Sequence, residues 1–298
     1  MNDQKLLQEK KRLFLYLFFS FGITFAWFFA VIPKKTMWDD MTSGMQSFTA
    51  LGMCFPFLSH ILVRWLTKEG FAMTGEDSLM LGISFRDKKW IWFLAATFLP
   101  WIYTETGNLL SLLLCRQLYD PKYYLTLEID QKFLYLMPVN AIVTGTIGSF
   151  AALGEEGGWR GYMMPKLCKL MSRKKALFLG GILWGLWHAP LTCIGHNFGT
   201  DYPGFPYVGI VAMCISCILL GILLTFLTQK SGSIWPAAIL HAVNNAGPSI
   251  LNGYINPDQA GVNGWIAGWS GYMTAILLVL LVVLMIPKKK GKRIEEMA

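Results

Sequence analysis

Long apolar runs separated by short polar stretches dominate this chain. Eight of them stand out, at about 13–33, 46–66, 90–115, 133–158, 176–195, 207–228, 233–251 and 265–286. A helix needs roughly 20 mostly apolar residues to cross the hydrocarbon of a bilayer. The pattern therefore predicts an all-α, polytopic membrane protein with about eight transmembrane helices. The first run, "LFLYLFFSFGITFAWFFAVI", follows Lys10, Lys11 and Arg12. It is too long for a signal peptide and no small-residue cleavage site follows, so it reads as a retained first span.

Charge refines this picture. With the N-terminus inside, 21 Lys and Arg residues fall in the inner segments. Five (Lys34, Lys35, Arg116, Lys122 and Lys132) fall in the outer ones, which completes the 26. Basic residues collect on the cytoplasmic side of membrane proteins. The bias predicts an even number of spans in the cell membrane with both termini cytoplasmic. The basic stretches "SRKKA" (172–176) and "PKKKGKRIEEMA" (287–298) read as anchors that meet anionic lipid.

Composition agrees. Of 298 residues, 54% are hydrophobic and only 15% charged, against about 25% in ordinary soluble domains. The net charge of +8 does not point to nucleic acid, because the basic residues lie between apolar runs rather than on one polar face. The six cysteines lie mostly in or beside spans and form no disulfide framework. No internal repeat or low-complexity tract is present. The chain reads as a single transmembrane domain over 1–298, in three parts. Residues 1–89 hold spans 1 and 2 and a cytoplasmic loop, 90–251 hold the chemistry, and 252–298 hold the last span and a basic tail.

Ionisable groups inside spans are costly and mark candidate function. They are Glu105, Glu155, Glu156, Arg160, His188, His241 and His60. The stretch "GEEGGWRG" (154–161) follows 15 uncharged residues. If the helix continues to Pro165, Glu155 lies roughly 15 Å above the inner end. Glu156 and Arg160 are then i,i+4 neighbours in the favourable order for an ion pair. Glu155 is rotated about 100° away and left free. His188 and His241 reach a similar depth on two other helices, and Asn245 lies four residues after His241 on the same face.

A Glu and a His on one water form a general-base arrangement, and a second His with an Asn can stabilise an oxyanion. Two His and one Glu (His188, His241 and Glu155) can equally hold zinc with an open position. Both arrangements deliver water to a carbonyl carbon.

These residues resemble the CAAX protease and bacteriocin-processing (CPBP) family of intramembrane proteases. Three motifs carry the resemblance, in order and on separate spans. They are E-E-x-x-x-R (Glu155, Glu156, Arg160), an aromatic-x-x-x-His (Trp184 to His188, where the family often has Phe) and H-x-x-x-N (His241 to Asn245). The resemblance implies a helical bundle around a catalytic cavity, expected to open toward the cytoplasmic side. It implies that Glu155 and His188 activate water and that His241 and Asn245 stabilise the oxyanion. Glu156 and Arg160 are structural or substrate-orienting by the same token. Both zinc and a metal-free glutamate mechanism fit. The implied partners are the bilayer and a membrane-associated peptide or protein, in peptide or bacteriocin processing or self-immunity. Two other readings stand beside it: a proton-coupled transporter using Glu105, Glu155 and the histidines, and a non-catalytic membrane immunity protein. His60 reads as packing and His196 as an outer-loop residue.

Overall fold

The computed structural model describes residues 3–75 and 77–285; the basic tail expected from the sequence lies outside them. The described residues are helical, with one β-bridge joining Tyr119 and Ile255. The long elements are α1 (Asp3–Val31), α2 (Ser43–Ala50), α3 (Phe55–Thr67), α4 (Trp90–Leu114) and α5 (Met137–Gly158). A π-helical turn (Trp159–Met163) joins α5 to α6 (Met164–Leu170). Then come α7 (Arg173–Trp187), α8 (Tyr207–Ser231), α9 (Trp235–Asn245) and α10 (Gly261–Met285). All eight apolar runs hold helix.

Five segments are long and apolar enough to cross a membrane: Asp3–Val31, Ser43–Thr67, Met137–Leu170, Tyr207–Ser231 and Gly261–Leu281. The protein is thus a multi-pass helical membrane protein. Two of the eight runs yield helices too short to cross alone. The run expected over 176–195 gives α7, only 15 residues long. It stops before Pro190, whose ring clashes with the carbonyl four residues back. The run expected over 233–251 gives α9, of 11 residues, cut by Gly247 in the left-handed region (φ +62°) and then by Pro248.

Helix pairs pack closely where small residues let backbones meet, as in membrane bundles generally. α7 lies on α8 and α9 on α5. A Cβ on Gly181 would sit 2.5 Å from the Cα of Ile218 in α8, and one on Gly185 would sit 2.5 Å from the Cα of Cys214. The buried core between these helices holds Tyr16, Trp159, Tyr162 and Trp187.

At one end of the bundle a charged cluster ties α1, α3 and α6 to the 68–89 loop. Lys166, buried to 1% exposure, pairs with Glu9 (2.8 Å), Glu69 and Asp77 (3.4 Å). Arg12 donates to Thr67 Oγ1 at 3.1 Å. Arg64 donates to the carbonyls of Asp77 (2.6 Å) and Ser78 (2.7 Å), which folds the loop back onto α3. Burial alone would raise the Asp77 carboxyl. The hydrogen bond from Lys169 and the charges of Lys166 and Lys169 outweigh it and hold the group below its ordinary value.

Candidate active site

The site forms where α5, α7 and α9 meet. A Cβ on Gly145 would lie 2.6 Å from the Cα of Val243, so the glycine lets α5 and α9 touch. That contact brings Glu156 to His241. The helix carrying the glutamates reaches Pro165, as the sequence suggested, and runs on through α6 to Leu170. Glu156 accepts from Arg160 Nη1 at 3.1 Å and from His241 Nδ1 at 2.8 Å. All three are buried, and a buried charge requires such pairing.

Glu155 points elsewhere. It is 2% exposed, and its Oε2 accepts from the indole N–H of Trp184 at 2.8 Å. The Arg160 guanidinium lies 3.9 Å from the Trp184 ring centre. Trp184 therefore links the free glutamate to the paired one. The sequence presents it only as an atypical aromatic in "WGLWH", a position where a phenylalanine has no N–H to give.

Both histidines have defined tautomers. The Trp184 carbonyl can only accept, so His188 Nδ1, 2.8 Å away, carries the proton and Nε2 keeps its lone pair. His241 Nδ1 likewise donates to the Glu156 carboxylate, which leaves its Nε2 for other work.

Asn244 is a second residue that the motif reading passed over. Its Oδ1 accepts from Tyr103 (2.7 Å) and from Tyr272. Its Nδ2 donates to Asn245 Oδ1 at 3.2 Å. This chain fixes the Asn245 amide with its Nδ2 uncommitted among the described residues. The doubled asparagine in "HAVNN" was the only sequence signal.

Glu155, Trp184, His188, His241, Asn244 and Asn245 line one cavity of about 1370 Å³. Glu105 does not line it. Its Oε2 accepts from the backbone N–H of Ile250 at 2.9 Å and so anchors the turn after α9. His60 packs against Phe57 and Tyr162, buried as expected. His196 sits in a loop, with its ring 4.1 Å from that of Trp38, and lines the outer part of the cavity.

This cavity reaches the loops beyond the far end of α1. α1 runs from the Lys166 cluster to the loop at 32–42, and that loop, through Trp38, bonds the Ile194 carbonyl at 2.7 Å. Trp38, His196, Asp201 and Asp258 all line the cavity. It thus opens at the end of α1 opposite the basic cluster, not toward the basic end. The cause is local: α7 and α9 both stop at the site, and the space beyond them is bounded by loops and by the flanks of α2, α8 and α10.

Zinc would need converging donors. The one trio of His, Cys, Asp or Glu ligand atoms within 4.8 Å of one another among the described residues is Glu9, Glu69 and Asp77. The ammonium group of Lys166 already serves those three. Glu155, His188 and His241 have suitable atoms but do not meet that spacing, so this geometry does not fit a metal held by all three.

The fold and site define a class: a polytopic helical membrane protein with a buried glutamate, two histidines and an asparagine around one intramembrane cavity. Comparison with known proteins agrees with that class. Residues 137–247 match the model of the family described as type II CAAX prenyl endopeptidase Rce1-like. The chain is also 33% identical over 102 residues to CAAX prenyl protease 2 of Methanococcus maripaludis, an alignment covering 34% of this chain and 38% of that protein. The matched segment is similar to that family, and the chain spans under two-fifths of the curated relative it matches. All four cavity residues expected from the sequence lie within 137–247.

Replacing Trp184 by Phe keeps an aromatic ring against Arg160 and removes the N–H to Glu155. We expect turnover to fall about tenfold, equivalent to about 1.4 kcal/mol in the barrier, with KM unchanged. Steady-state kinetics on a cleaved peptide check this; a purely structural role would lower the folded yield instead.

Proposed function

We propose that the protein is an intramembrane endopeptidase that hydrolyses a peptide bond without a bound metal. One observation carries the reading: Glu155, held by Trp184, shares a cavity with His188, His241 and Asn245. Glu155 takes a proton from water while the Nε2 of His188 accepts a hydrogen bond from the same molecule and aims it. The hydroxide adds to the scissile carbonyl. The oxyanion is met by Asn245 Nδ2 and by His241 Nε2–H, the latter when the ring is an imidazolium neutralised by Glu156. Preorganised donors of this kind supply much of the rate enhancement in acyl transfer. The C–N bond then breaks, and Glu155 returns its proton to the leaving amine.

A proton relay for transport loses one of its two carboxylates, since Glu105 accepts from a backbone N–H. We further propose that the basic end of the bundle is cytoplasmic and that the protein resides in the cell membrane.

Peptides retained by the Glu155→Ala protein and identified by mass spectrometry should be cleaved by the wild type in proteoliposomes. Cleavage should survive 1,10-phenanthroline, and metal analysis should find no stoichiometric zinc. Normal cleavage by both Glu155→Ala and His188→Ala proteins would sink the proposal; loss of activity with chelator, restored by zinc, would sink its metal-free part.

A further inference from the structure

We infer that α1 takes part in positioning the catalytic histidine: the hydroxyl of Thr24 orients the indole of Trp187, and Trp187 orients the imidazole of His188. The consequence for rate rests on the peptidase reading; the chain of contacts does not.

His188 needs this support because of where it sits. α7 ends at Trp187, so the His188 backbone lies past the last regular turn. Its ring has one hydrogen bond among the described residues, from Nδ1 to the Trp184 carbonyl at 2.8 Å. A single hydrogen bond fixes one point and leaves the ring free to pivot about it. A group that aims a reacting water must keep its direction to about 10–20°. Trp187 supplies the second constraint. Its indole stands nearly perpendicular to the imidazole, with 89° between the planes and 4.9 Å between ring centres. That is the edge-to-face arrangement aromatic pairs prefer. Trp184 meets the same imidazole at 5.8 Å and 63°.

Trp187 is itself held from α1. It is buried, and the rings of Phe28, Trp159 and His188 surround it. Its one polar side-chain group, the indole N–H, donates to Thr24 Oγ1 at 3.0 Å. The Thr24 hydroxyl gives its own proton to the Ser20 carbonyl at 2.6 Å. A carbonyl can only accept, so the threonine oxygen is left facing the indole as an acceptor. Thr24 and Ser20 are fully buried, so bulk solvent does not compete. Thr24 lies outside residues 137–247, the segment similar to the endopeptidase family. It is a positioning residue that acts through two others.

Kinetics on the full chain test this. Valine keeps the branched shape of threonine and removes the acceptor. Thr24→Val should lower kcat about tenfold and leave KM within about twofold. Thr24→Ser, which keeps the hydroxyl, should recover most of the rate. In a Trp187→Phe protein, which already lacks the indole N–H, adding Thr24→Val should cost nothing further, since the two changes break the same link. An unchanged kcat in Thr24→Val, or the same loss in both backgrounds, overturns the inference.

A second measurement does not involve cleavage. The chain has four histidines, so in protein labelled with nitrogen-15 at histidine the His188 signals are identified by their loss in His188→Ala. In the wild type they should be sharp, with one protonated and one bare ring nitrogen. In Thr24→Val they should broaden or split as the ring gains freedom, while those of His60 stay as they are. Identical His188 signals in wild type and Thr24→Val overturn the inference whatever the kinetics. Peptide left intact by the wild type, beside a changed His188 signal in Thr24→Val, would count against the peptidase reading and leave the inference standing.

Discussion

Glu155→Gln protein should fold, insert and bind peptide like the wild type and yet cleave about 10²–10⁴-fold more slowly, the range lost when a positioned general base is removed. The amide has the shape of the carboxylate and can still accept from Trp184 Nε1, so the 2.8 Å contact that orients the side chain persists. It cannot take a proton from water. Single-turnover cleavage of a retained peptide, with far-UV circular dichroism as the control for fold, measures the effect. Glu156→Gln is the instructive neighbour. Arg160 and His241 both donate to Glu156 Oε1, so the amide can keep both contacts but loses the negative charge that balances the buried guanidinium. That variant should lose stability as well as activity. A Glu155→Gln protein that cleaves at the wild-type rate would remove the base from the mechanism.

Lys166→Met should be the most destabilising single change outside the cavity. The ammonium group is 1% exposed and meets carboxylates from α1, from the residues just after α3 and from the 68–89 loop. Methionine fills the volume and leaves Arg12, 3.2 Å from Glu9 and 3.6 Å from Glu69, as the cation those two carboxylates share. Removing one partner of a buried ionic group costs about 3–5 kcal/mol, so the melting temperature in detergent should fall by many degrees. Adding Glu69→Gln should recover part of the loss, because the uncompensated charge is the cause. The cluster also has a defined acid limit. The carboxyl of Asp77 titrates below its ordinary value of 3.8. Its contribution is therefore complete above that pH and is lost as the pH falls through the lowered value. Acid unfolding of the wild type should begin below about pH 4, and a Lys169→Ala protein should unfold at higher pH.

The sequence exposed most of the architecture because a membrane leaves so few options. Twenty-residue apolar runs located the helices, and the ion pair of Glu156 with Arg160 followed from their spacing alone. The ends of α7 and α9 were less legible. Apolar residues continue past Trp187 and Asn245, and only Pro190, Gly247 and Pro248 stop the helices. Those early stops leave His188 and Asn245 at helix ends, where both line the cavity.

Side-chain partners distant along the chain were also hidden. Lys166 looked like one more basic residue of the inner side. Its partners Glu9, Glu69 and Asp77 lie 89 or more positions away in sequence, and no periodicity connects them. The indole N–H of Trp184 had no visible target until α5 and α7 were placed side by side.

The π-helical turn at Trp159–Met163 sets the angular phase between two halves of one long rod. A turn of this kind bonds each residue to the fifth before it rather than the fourth, so it holds one residue more than the regular helix would. On one side of it Glu155 faces the reaction space and Glu156 faces His241; on the other, Lys166 faces the acidic cluster. Each residue advances a helix by about 100°. Loss of any one residue from this turn would swing Lys166 that far from its carboxylates while the glutamates stayed in place. A change in its length disconnects the chemistry of the membrane interior from the clamp that holds the bundle end together.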